Sequence, residues 1–99
     1  MKLNSTNFYE NIADGKVLVK FEAAWCGPCK AYSPTFNQFS EQNETIKCFS
    51  VDCGDHKDIA DDFEIRSIPI TILFQNGEEI KRKAGKLSID ELNDFITME

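Results

Sequence analysis

Cys26 and Cys29 stand two residues apart in Trp25-Cys26-Gly27-Pro28-Cys29-Lys30. Two thiols at this spacing can exchange disulfides or supply half of a metal site. The segments on either side of the pair decide between the two. Val17-Leu18-Val19 opens an apolar run through Phe21 that suits a central strand covered on both faces. From Cys29 the period turns helical, with Tyr32, Phe36 and Phe39 at spacings of four and three. The hexapeptide therefore sits where a strand hands over to a helix. A helix start offers unpaired N–H groups and about half a unit of positive charge. A thiol there is stabilised as thiolate, the form that attacks disulfides. Cys26, ahead of the helix, is expected to be the exposed nucleophile. Cys29, in the first turn, is expected to be more buried and to attack the mixed disulfide formed on Cys26. Pro28 fits a first turn, where its missing donor costs nothing, and stiffens the loop.

The other chemistry-bearing residues admit plainer readings. Cys48, Cys53 and His56 could join the pair in a zinc cluster. Pro28 and the strand–helix junction suit a dithiol better, so no metal is expected. Cys48 and Cys53 read most simply as small apolar side chains. They are poorly placed to pair with each other if Cys48 stays in an extended strand. Cys53 has a second reading as a regulatory thiol, because parallel strands would end it on the active-site edge. His56 reads as a surface residue near a helix start. Lys20 interrupts the apolar strand, and Glu22 shares its face. Either the two form a buried pair, or Lys20 carries its charge to the surface.

The surrounding elements are set by periodicity and turn residues. Ser5 to Asp14 reads as a helix with Phe8, Tyr9, Ile12 and Ala13 inward and Gly15 as its stop. Pro34 falls inside the second helix, where it should kink it. Ile46 to Asp52 reads as a strand, and Ile59, Ala60 and Phe63 mark a short helix. Ile70 to Phe74 is a buried strand, Asn76-Gly77 a hairpin turn, and Glu79 to Ala84 an edge strand guarded by Lys81, Arg82 and Lys83. Ser88 and Glu91 make a capping box for a last helix. Lys2-Leu3-Asn4 is compatible with a further short strand but does not require one. The expected fold class is α/β, a mixed sheet of four to five strands with helices on both faces.

The 99 residues suit one domain, 1–99. A composition 41% hydrophobic and 28% charged is that of a globular chain. No apolar run approaches the ~20 residues of a membrane span. The net charge of −6 argues against nucleic acid as a partner. The polar opening Met1-Lys2-Leu3-Asn4-Ser5-Thr6 lacks a secretory apolar region, so a cytoplasmic protein with reduced thiols is expected.

With these residues in view, the sequence resembles the thioredoxin family over nearly its whole length. The hexapeptide is the family's active-site motif without change. Phe21, Ala24, Pro34, Val51-Asp52, Ile68-Pro69, Asn76-Gly77 and Gly85 fall in the family's places. The resemblance implies a thioredoxin fold and a redox-active Cys26–Cys29 disulfide. It implies a cis Ile68–Pro69 bond and a substrate groove lined by Trp25, Gly27, Pro28, Ile68, Pro69 and Gly85. It implies no bound cofactor, and electrons reaching the site from NADPH through thioredoxin reductase. The chain has no nucleotide-binding fingerprint of its own. Implied targets include peroxiredoxins, methionine sulfoxide reductase and ribonucleotide reductase, and the implied state is a monomer. The departure is at Lys20, where most members carry a buried Asp that assists proton transfer at the resolving cysteine, and at Cys48, where they carry the Lys that partners it. Set against the family, Lys20 and Glu22 are expected to form a rearranged pair serving Cys29, with Glu22 or a partly desolvated Lys20 as the proton acceptor. Competing functions are an oxidase or isomerase, disfavoured by Gly27-Pro28, and an interaction module that does not use its thiols.

Overall fold

The apolar run after Lys16 forms the middle of the sheet, as its composition requires. The computed structural model describes residues 2–97. In chain order the elements are β1 (Lys2–Leu3), α1 (Phe8–Ile12), β2 (Lys16–Glu22), α2 (Gly27–Gln42), β3 (Lys47–Asp52), α3 (Lys57–Asp62), β4 (Ile70–Gln75), β5 (Glu78–Ala84) and α4 (Ile89–Thr97). The spatial strand order is β1-β3-β2-β4-β5. β3 runs parallel to β1 and β2, while β4 runs antiparallel to β2 and β5. The expected mixed sheet is present with five strands. The ambiguous segment at Lys2-Leu3 is a short strand, pairing Lys2 with Ser50 and Leu3 with Val51.

Alternation along β2 divides the core in two. Val17, Val19 and Phe21 point into a cluster with Phe8 and Ile12 of α1 and Ile59 of α3. Leu18 points the other way, into a cluster with Tyr32, Phe36 and Phe39 of α2 and Leu92 and Phe95 of α4. The same period puts Lys20 and Glu22 on the α2 side. Both are buried in the sheet's central strand.

α1 is shorter than expected, and its inward face is narrower. The Asn4 side chain accepts from the N–H groups of Thr6 and Asn7, drawing those residues into turns before the helix begins. Phe8 and Ile12 are buried, whereas Tyr9 is exposed and donates its hydroxyl to Asp62. Ala13 is exposed as well. α2 begins two residues earlier than its apolar period, at Gly27, and runs on through Pro34. β5 lies at the sheet edge, where Arg82 is held by Glu79 and by the Phe63 carbonyl. α4 has its capping box: the Ser88 N–H donates to Glu91 Oε1 at 2.9 Å, and the Glu91 N–H to Ser88 Oγ at 3.1 Å. These bonds hold the Glu91 carboxyl below its ordinary range.

Candidate active site

β2 ends at Glu22, and Cys26 caps the N-terminus of α2 with extended backbone. Cys26 Sγ accepts from the Cys29 N–H at 3.2 Å, which satisfies one orphan donor of the helix. The two cysteines form a disulfide with Cα atoms 5.2 Å apart, within the ordinary span of such a bond. Cys29 is 1% exposed and Cys26 6%. Cys29 is the more buried of the two, as expected. Cys26 is less open than its expected role requires, because Ile68 packs over the pair and its carbonyl lies 4.0 Å from Cys26 Sγ.

Ile68–Pro69 is a cis peptide at the start of β4. The Pro69 carbonyl accepts from the Gly85 N–H at 2.8 Å, which brings the end of β5 to the same place. Gly85 has φ +94°, a conformation that suits only glycine there. Trp25 is 77% exposed, and space beside Gly27 is open. A depression of about 190 Å³ runs along Trp25 and Ile68 and is lined also by Cys53, Ile65, Arg66 and Ser67. Cys53 was legible on this edge from the sequence, whereas Ile65, Arg66 and Ser67 were not. Their one signal was direct attachment to Ile68-Pro69.

Behind the disulfide, Lys20 Nζ lies 2.7 Å from Glu22 Oε1, with side chains 2% and 10% exposed. Lys20 is thus paired within the core, and its charge does not reach the surface. It also donates to Ser33 Oγ at 2.7 Å, and Ser33 lies 3.1 Å from the Cys29 carbonyl. Ser33 was not singled out from sequence, although it stands one helical turn beyond Cys29. A cavity of about 290 Å³ opens beside Cys29 and is lined also by Glu22, Ser33, Asp52, Lys2 and Lys30.

The other cysteines are kept apart from this site or muted in it. Cys48 lies in the core under α2 and α4, away from Cys26 and Cys29. Burial pushes the Cys48 thiol up to about 11 and, with the nearby Asp52 charge, the Cys53 thiol to about 11 as well. His56 Nδ1 is 3.3 Å from Ser5 Oγ, on the surface. Among the described residues, no group of His, Cys, Asp or Glu is gathered to hold a metal ion.

A disulfide on a helix N-terminus, at the carboxyl edge of a central strand, defines a dithiol–disulfide oxidoreductase. The thioredoxin family model matches residues 1–98. A thioredoxin of Mycoplasma genitalium is 40% identical, covering 96% of this chain and 95% of its own. A thioredoxin of Chlamydia trachomatis is 34% identical, covering 96% and 93%. A solved chain from work on the thiol-resolving mechanism in yeast mitochondrial 1-Cys peroxiredoxin, via the glutathione and thioredoxin systems, superposes with a TM-score of 0.87. That chain is 28% identical, and the match covers 97% of this chain and 92% of the other. The protein belongs to the thioredoxin family. The family acts on disulfide-containing targets and carries no prosthetic group, so the cysteine pair is itself the redox centre.

Proposed function

We propose that Cys26 attacks protein disulfides and that Cys29 resolves the mixed disulfide, returning a reduced target. The observation that carries this reading is the asymmetry of the pair. Both sulfurs sit at the positive end of α2, but Cys26 is the less buried of the two, and its Sγ lies 4.0 Å from the Ile68 carbonyl. Helix-end charge favours the Cys26 thiolate. Trp25, Gly27, Pro28, Ile68, Pro69 and Gly85 form the floor and walls on which an extended target segment lies. Cys26, being nearly covered, is reached from the Ile68 side by a segment lying along that surface.

The oxidised pair is recycled by thioredoxin reductase with electrons from NADPH, since the chain itself offers no nucleotide-binding motif. Peroxiredoxins are a target class, a reading supported by the subject of the work on the superposing structure. The chain acts as one domain and as a monomer, a reading supported by β1 pairing into the sheet and α4 packing on its α2 side. Its place is the cytoplasm. No helix among the described residues is long and apolar enough to cross a membrane.

Insulin reduction tests the reading. Cys26→Ser and Cys29→Ser should each lose turnover, and Cys29→Ser alone should accumulate mixed disulfides with the target. Turnover surviving in Cys26→Ser would instead favour a module that works by binding.

A further inference from the structure

Two buried charges beside a redox cysteine need a physical reason, because such charges persist only when paired and hydrogen-bonded. Two of the three Lys20 donors go to Glu22 Oε1 and Ser33 Oγ, each at 2.7 Å. Its ammonium lies 5.3 Å from the Phe36 ring centroid and 5.8 Å from that of Tyr32. All four of these neighbours favour a cation. Lys20 does not line the cavity beside Cys29, whereas Glu22 does. The two members of the pair therefore face different surroundings: Lys20 the core, Glu22 the space that Cys29 shares.

We propose that Glu22 is the proton acceptor for Cys29, working through water held in the cavity of about 290 Å³, with Lys20 and Ser33 as positioning residues. The inference rests on the reading of Cys29 as the resolving thiol. The cavity is large enough for water, and Glu22, Ser33 and Asp52 on its wall supply polar partners, which are the two conditions for water to stay there. Glu22 takes the Cys29 proton. The Cys29 thiolate then attacks Cys26 Sγ, the Cys26–target S–S bond breaks as the Cys26–Cys29 bond forms, and the target thiolate leaves with the bonding pair. Glu22 returns its proton through solvent to that thiolate. The dithiol is oxidised and the target disulfide reduced, with no other reagent consumed.

Ser33 ties the pair to the helix. Its hydroxyl accepts from Lys20 and has one proton to give, directed at the Cys29 carbonyl at 3.1 Å; Glu22 Oε1 is the longer alternative at 3.5 Å. The remaining charged or titratable groups around Glu22 are Lys2 from β1, 3.8 Å from Oε2, with Asp52 and Cys53 at the end of β3 and Lys30 of α2. Lys2 is 71% exposed, so water and salt screen its influence.

Stopped-flow release from a limiting aromatic disulfide, whose freed thiol is coloured, separates the two steps. The first thiol released reports attack by Cys26, the second resolution by Cys29. Glu22→Gln should slow the second release roughly 10²-fold at neutral pH while the first is retained, the usual scale of a lost general base. Its second-phase rate should then climb with pH through the ordinary thiol range near about 8.5, while the parent rate is already near its ceiling at neutral pH. If Glu22→Gln leaves Lys20 unpaired and unfolds the chain, Lys20→Met with Glu22→Gln removes both charges and should show the same slow second phase. Glu22→Asp should recover part of the rate. A wild-type second phase and pH profile in a folded variant lacking the Glu22 carboxylate would overturn the proposal. A second release that persists in Cys29→Ser would overturn the underlying reading as well.

Discussion

Burial holds the thiols of Cys48 and Cys53 protonated. Each is pushed from 9.0 to about 11, which cuts the thiolate fraction at neutral pH by about 10²-fold. The expected outcome is slow alkylation of both by iodoacetamide at pH near 7, with a rate that keeps rising until the pH nears 11, while reduced Cys26 reacts first. Peptide mass mapping over time checks this; fast modification of Cys53 would restore the regulatory reading. Lys20 was legible in the sequence because a charge in an apolar run contradicts its surroundings. Its partner Glu22 was legible from strand alternation. Ser33 was not, because a serine on a helix carries no signal until the strand beneath it is known. The partial covering of Cys26 was also hidden, since it depends on Ile68 arriving from a segment 42 residues away.

The elements that position the site are held by local devices whose worth can be measured. The Ser88–Glu91 box pins the start of α4, which covers the α2 side of the sheet. Ser88→Ala should lower stability by about 1 kcal/mol in urea unfolding, and an unchanged midpoint would contradict the role of the box. That box, the Asn76-Gly77 turn and the basic edge strand were all readable from residue types. The start of α1 was not. Ser5 to Asn7 are compatible with helix, but the Asn4 side chain captures two of the N–H groups that would begin it. Propensity was overridden there by one competing acceptor. The cis bond at Ile68–Pro69 was not readable from spacing or composition, and it entered the reading only through family resemblance.

At the scale of the molecule, the topology gathers distant segments at one edge. The end of β2, the start of α2, the cis bond before β4 and the glycine after β5 converge on the same disulfide. Strand alternation then places a charged pair directly behind it, on the face covered by α2. The fold class emerged from the order of elements, but the fifth strand at Lys2–Leu3 needed its partner β3 to be recognised, because two residues carry no period of their own. The central claim is that this edge holds a reducing dithiol. Its most direct test is equilibration of the protein with glutathione at a poise near −220 mV, followed by acid trapping and thiol counting. A reductant is predicted to rest there mainly as the Cys26–Cys29 disulfide, having given up its electrons. A pair found mainly as the dithiol would contradict the account and point to an oxidant or isomerase instead.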